Sequence, residues 1–167
     1  RQVAMSRATD NADEVLDELA KYIVREDFSY QGWWDRLRFN SVPEDLRPYL
    51  DTWDNSVYDQ SEALRPAGDG FYTWKDAETG PVAVKAGKKA FMGELYFLVD
   101  AANSSATFLL ADYVQKGKLG TLVGQPTGGN RRGINGGFTF FLRLPYSKIE
   151  LDLPLIGFYP SNEQPDA

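Results

Sequence analysis

Two short apolar runs separated by a helical stretch constrain this chain more than any other feature. Leu95–Val99 reads LYFLV and Leu119–Val123 reads LGTLV. Runs of this kind, bounded by charged or polar residues, have the pattern of strands buried on both faces. Between them lie a polar turn, Ala101-Ala102-Asn103-Ser104-Ser105, and then Ala106–Gln115. In the latter, Phe108, Leu109, Ala111 or Asp112, and Tyr113 recur as a helix would place them. Gly117 is positioned to end that helix. Strand, helix, strand predicts a parallel βαβ unit with a right-handed crossover.

The flanking segments add to this core. Asn11 followed by Glu14 has capping-box spacing, and Val15, Leu16, Leu19, Tyr22 and Ile23 predict an amphipathic helix over 12–24. Gly124–Gly137 is a glycine-rich loop. Phe138–Leu144 and Ile149–Leu155 flank Pro145-Tyr146-Ser147-Lys148 and predict a β-hairpin with a four-residue loop.

The stretch from Asp27 to Trp74 differs. It holds Trp33, Trp34, Trp53 and Trp74, several prolines, and a short helical pattern after Pro43 (Leu46, Tyr49, Leu50, Trp53). Gly68-Asp69-Gly70 and Gly80-Pro81 are turns. Its aromatics either fill a small satellite core or form an insertion or lid. The expected organisation is one domain over 1–167, with an irregular Trp-rich insertion or lid at 27–90 and the core at 91–167.

Composition excludes several functions. A chain of 167 residues can bury the core of one ordinary domain. A net charge of −6 argues against binding nucleic acid or an anionic lipid surface. The chain has no histidine and no cysteine, so it cannot itself supply a disulfide, a cysteine nucleophile, a zinc finger or a Ser-His-Asp triad. No apolar run approaches the roughly 20 residues needed to span a bilayer. The start, RQVAMSRATD, has no signal-peptide core and no initiator Met, and the end is PSNEQPDA. Both read as cut from something longer.

Ser104 and Ser105 stand where a strand should end and a helix begin. A hydroxyl there lies beside the free N–H groups and partial positive charge of a helix start, which suits a nucleophile attacking a carbonyl. The same residue type at the same place also suits an N-cap. The loop Gly124-Gln125-Pro126-Thr127-Gly128-Gly129-Asn130-Arg131-Arg132-Gly133 has neither phosphate-binding glycine pattern, and a strand follows it. A nucleotide site is not expected, nor is any cofactor or metal.

Taken together, these segments resemble the C-terminal part of the catalytic domain of tail-specific (C-terminal processing) serine peptidases and their tricorn-like relatives. The matching residues are LYFLVD (95–100), NSSATFLLADYV (103–114), TLVGQPTGGN (121–130), LRLPYSKIELDLP (142–154) and Pro165-Asp166. The resemblance implies an α/β, crotonase-like fold of mixed sheet and helices. It also implies a polypeptide substrate and an acyl-enzyme formed on Ser105, with Ser104 as its neighbour. The Ala106 N–H would supply one oxyanion donor. Ser104, Thr127, Gly128, Gly129, Asn130 and Arg131 would contact substrate. The second oxyanion donor would come from a glycine segment upstream, in the remainder of the same domain. The family also suggests an extracytoplasmic location.

One position departs from the processing-type pattern. That branch carries its general-base lysine where this chain has Asn130, and neither an amide nor Arg131 or Arg132 takes a proton from serine near neutral pH. Lys116, eleven residues along a helix at about 1.5 Å each, lies too far from Ser105. In the tricorn-like branch the loop reads Thr-Gly-Gly, as here, the base is an upstream histidine, and a late glutamate takes part. Glu163 occupies that neighbourhood, where a solvated tail carboxylate is the alternative. The isolated chain is expected to be inactive. The competing expectation is a non-catalytic module of the same fold that uses the aromatic insertion and the loop at 124–137 as a cleft for a peptide or apolar ligand. Arg131, Arg132 and Arg143 either hold a substrate carboxylate or are solvated. The strand at 138–141 either accepts an extended substrate by strand addition or is an ordinary paired strand.

Overall fold

The computed structural model describes residues 12–77 and 80–161. The elements run α1 (Ala12–Ile23), β1 (Phe28–Gln31), β2 (Trp33–Arg36), β3 (Leu50–Asp51), β4 (Leu64–Gly68), β5 (Phe71–Trp74) and β6 (Pro81–Val84). They continue with β7 (Tyr96–Val99), α2 (Ala106–Lys116), β8 (Thr121–Gly124), β9 (Ile134–Arg143) and β10 (Glu150–Pro160). The result is a mixed α/β chain with several small sheets and few helices. Asn11, Glu163, Pro165 and Asp166 lie outside the described residues. The chain divides into two compact units. Of the described residues, the first unit holds 12–32 and 80–131, and the second holds 33–77 and 132–161.

The first unit contains the βαβ motif. β7 and β8 pair in parallel, from Tyr96↔Thr121 to Val99↔Gly124, with α2 as the connection. β1 and β6 pair antiparallel. Ile23, Val24, Val114 and Leu119 are buried together, and Leu19, Phe28, Phe97 and Leu122 pack on them. Leu19 and Ile23, one helical turn apart, turn α1 toward this core, while Tyr22 stays 44% exposed.

Two expectations are corrected here. Neither the strand at 95–99 nor the one at 119–123 is buried on both faces; in the latter Thr121 and Val123 are exposed. Phe97 packs on the core, whereas Tyr96 and Leu98 on the opposite face are 61% and 82% exposed. The physical reason is that, among the described residues, only one layer packs against this pair of strands. At the end of α2, Gly117 is the C-cap, as expected, with φ −81°, and Lys118 takes the left-handed turn at φ 51°.

In the second unit an antiparallel sheet has the order β2-β10-β9-β3. β9 and β10 form the expected hairpin, and the loop at 145–148 is closed by the Leu144 N–H donating to the Ile149 carbonyl at 2.9 Å. The hairpin is longer than the sequence pattern suggests, since β9 begins at Ile134 and takes in residues assigned to the glycine loop. The ladder is irregular between Pro154 and Ile156, where proline contributes no N–H.

β4 and β5 form a second hairpin, tied to the end of β2 by a bridge between Leu37 and Tyr72. Leu37, Leu64 and Ile156 form one small core, and Val42, Val57 and Phe140 form another. The stretch after Asp27 is therefore built largely of short strands. The helical pattern after Pro43 yields only a single 3-10 turn, Arg47–Tyr49, after which Leu50 is already extended.

Candidate functional site

β7 and β8 end side by side, with Val99 and Gly124 as register partners. The serine turn leaves one carboxyl end and the glycine loop leaves the other. Crevices outside the carboxyl ends of parallel strands are where open α/β sheets bind ligands.

The serine turn is locked by short polar side chains. The Asn103 Oδ1 accepts from the Asp100 N–H at 2.7 Å, and the Asp100 Oδ1 accepts from the Ala102 N–H at 2.9 Å. The Asn103 N–H also donates to the Asp100 carbonyl at 3.0 Å. This local bonding is what Asp and Asn do best in turns. It delivers the chain to Ser105 at φ 52° and ψ −127°, a conformation an L-residue rarely adopts. Holding it costs about 1–3 kcal/mol, which the surrounding bonds must offset.

The capping alternative for Ser105 does not match this geometry. Its side chain makes no capping bond. The first turn of α2 is fastened instead at the Ser104 carbonyl, which accepts from the Thr107 N–H at 3.2 Å and the Thr107 hydroxyl at 2.8 Å. Ser104 and Ser105 are both exposed. A serine on a sharp, strained strand-to-helix turn presents its hydroxyl outward. The Ala106 amide beside it is one of the N–H groups that an α-helix leaves without an intrahelical partner.

The glycine loop lies against this turn. The Gly128 N–H donates to the Asn103 carbonyl at 3.0 Å. A Cβ on Gly128 would stand 2.4 Å from the Ala101 carbonyl oxygen and 3.7 Å from the Ser104 Cβ. A Cβ on Gly129 would overlap the Phe108 ring of α2 at 2.1 Å. Thr127 is half-buried and Asn130 is exposed. Ser104, Ser105, Ala106, Gly128 and Gly129 are thus drawn together. Arg131 is turned elsewhere, donating to the Gln115 Oε1 near the far end of α2. In the second unit, Arg143 pairs with Glu150 at 3.1 Å.

No base adjoins the serine among the described residues. The Ser105 hydroxyl has no hydrogen-bond partner there. Lys116 is occupied at the other end of α2. It pairs with the buried Asp112 at 2.6 Å and donates to the Gln31 carbonyl at 3.1 Å. Among the described residues no cluster of carboxylates is placed to hold a metal ion, and no helix is long and apolar enough to cross a membrane.

Sequence reasoning missed Asp100 and Asn103, which fix the turn. Their signal was available as two turn-forming residues three apart at the end of an apolar run. It also treated Asp112 only as a helical position, although its spacing to Lys116 is that of an ion pair on one helix face.

A family model described as Peptidase family S41 matches residues 36–152, a span that contains Ser105 and the whole glycine loop. No curated protein and no solved structure matches the chain.

Proposed function

The chain belongs to peptidase family S41, and from that membership we propose that it is the catalytic-core portion of a serine endopeptidase whose nucleophile is Ser105. The family implies a polypeptide substrate. One observation carries the assignment of the residue: the strained backbone at Ser105 leaves an exposed hydroxyl without a structural task.

In this reading the Ser105 Oγ attacks the scissile carbonyl carbon. The carbonyl oxygen gains negative charge as the tetrahedral adduct forms, and the Ala106 N–H donates to it at the positive end of α2. A base takes the serine proton and returns it to the departing amine, which leaves an acyl-enzyme on Ser105. Water then hydrolyses that ester. Thr127, Gly128, Gly129 and Asn130 border the serine turn and shape the floor on which the substrate backbone lies. Asn130 in place of lysine, next to Thr127-Gly128-Gly129, supports the tricorn-like branch. The base, the second oxyanion donor and any contribution from Glu163 then come from outside the described residues. The crotonase-like fold and an extracytoplasmic location belong to the same reading.

A second reading has a specific observation in its favour. The chain has no histidine, and among the described residues no base is hydrogen-bonded to Ser105, as in a relative that keeps the fold and binds peptides without cleaving them.

The two are separated by treating the protein encoded by the complete reading frame with a fluorophosphonate and mapping the adduct by mass spectrometry. The enzyme reading expects the adduct on Ser105, with the isolated chain unlabelled at rates typical of serine hydrolases. A complete protein that stays unmodified, or is modified on another serine, leaves the binding module.

A further inference from the structure

Three of the four tryptophans line one cavity in the second unit. Trp33, Trp34 and Trp74 border a space of about 430 Å³ between β2 and the β4–β5 hairpin, within the few hundred cubic ångströms typical of small-ligand clefts. Its construction is fixed from behind. The Leu37–Tyr72 bridge clamps the hairpin to the end of β2 with bonds of 2.9 and 2.8 Å. The Trp74 indole N–H donates to the Asp35 Oδ2 at 3.2 Å, and its ring meets Phe138 edge-on. The Arg36 guanidinium lies over the Trp34 ring at 5.8 Å. Two more lining residues, Arg65 and Asp76, are exposed, and neither side chain forms an ion pair or hydrogen bond among the described residues.

We propose that this cavity binds one aromatic residue of a polypeptide, its ring against one of the lining indoles and its peptide group between Arg65 and Asp76. An indole favours a flat ring, which it meets in offset or edge-on geometry. The lining charges cancel, Asp35 and Asp76 against Arg36 and Arg65. A phosphate, a lysine or a free carboxylate therefore gains no net attraction. A peptide unit carries one donor and one acceptor. Arg65 only donates and Asp76 only accepts, so the two together meet both needs. The choice of polypeptide rests on the proposed peptidase function, whereas the cavity and its charges do not.

The test uses the indole N–H signals in the nitrogen–proton NMR spectrum of the whole chain. Trp53 lies outside the cavity, 79% exposed and edge-on to Phe141, and serves as the internal control. The probes are acetyl-Ala-Phe-Ala-amide, the same peptide with Leu or Lys at the centre, and cellotetraose. The Phe peptide should move the Trp33, Trp34 and Trp74 signals saturably and leave Trp53 unmoved. The Leu peptide should bind at least fivefold more weakly. Arg65→Ala and Asp76→Ala should each weaken the Phe peptide about fivefold, with an otherwise unchanged spectrum. Stronger binding of the Lys peptide, movement with cellotetraose and not the peptides, no saturable movement with any probe, or unaltered affinity in both variants overturns the proposal. Because the readout is binding without turnover, saturable shifts in a protein whose Ser105 is never labelled would sink the peptidase reading alone. Ser105 labelling without shifts would sink the cavity alone.

Discussion

The backbone N–H of Gly128 donates to the carbonyl oxygen of Asn103 at 3.0 Å, so the glycine loop and the serine turn brace one another. The strained conformation at Ser105 depends on that brace as well as on its own neighbours.

Gly128→Val should therefore act at a distance from the residue it replaces. The new Cβ collides with the Ala101 carbonyl oxygen at 2.4 Å, a backbone atom that cannot swing aside. Overpacking of this kind costs about 1–3 kcal/mol. The expected result is a lower urea midpoint in the chain and a strong loss of fluorophosphonate labelling in the complete protein. Wild-type values for both would show that the loop does not brace the turn.

Ser105→Ala and Ser105→Gly separate the two roles of a serine at a helix start. An N-cap lost to alanine costs about 1 kcal/mol. Because the Ser105 side chain makes no capping bond, Ser105→Ala should stay within about 0.5 kcal/mol of wild type, the range of substitutions that remove no structural contact. Ser105→Gly should raise stability by about 1 kcal/mol, since glycine relieves the positive φ. Denaturant titration of the three proteins decides. An alanine variant that falls by a full cap's worth restores the capping role.

Asp112 is 6% exposed and pairs with Lys116 at 2.6 Å, while the Lys116 side chain remains 30% exposed. Lys116→Met removes the cation that pairs with this buried carboxylate. The cost should be about 1–3 kcal/mol, less than for a fully buried pair because water reaches the lysine. Adding Asp112→Asn to that variant should recover part of the loss. Urea midpoints of the single and double variants test this, and a double variant no better than the single would locate the cost elsewhere.

Asp27 gives the first unit a pH-dependent clamp between the start of β1 and the end of β6. Its carboxylate accepts from the Lys85 Nζ at 2.7 Å and the Ala86 N–H at 2.8 Å. The Lys85 bond, then the Ala86 bond, hold its pKa below the usual carboxylate value, and the Asp27 bond raises that of Lys85. A lowered folded pKa stabilises above the unfolded value of about 3.9 and fades as pH falls through the folded one. The raised lysine contributes below about 10.4 and fades as pH rises through its folded value. The stability difference between wild type and Asp27→Asn should thus persist through neutral pH and shrink in acid. Both groups are exposed, so 1 M salt should also shrink it. A difference that does not change with acid would contradict this assignment.

Much of the architecture is legible from residue order. LYFLV, the amphipathic run through Leu19 and Ile23, and the pair of strands around Pro145–Lys148 announce themselves through period and turn chemistry; the first two form close to their expected bounds, and the hairpin forms but extends further at its open end. The strands between Asp27 and Trp74 are less visible. β1, β2 and β5 span four residues each, too short for alternation to stand out, and their burial depends on partners far along the chain. Glycines at 136 and 137 disguise the start of β9, because strand propensity scores them poorly while the ladder pairs Gly136 with Ile156 of β10. At the site, the residue types pointed to Ser105 but not to its dihedral angles. Strain is a property of the whole turn, set by Asp100, Asn103 and Gly128 together, and no single residue type encodes it.

Gln31 and Pro81 face each other on the last rung of the β1–β6 ladder. The polypeptide between them therefore departs and returns through a clasp no wider than the spacing of two neighbouring strands, about 5 Å. Doubling the length of a flexible stretch pinned in this way adds only about 0.6 kcal/mol of closure entropy. That small cost applies to the loops within the tryptophan-bearing excursion, which can lengthen or shorten, whereas β2 and β3 must keep their pairing with β10 and β9.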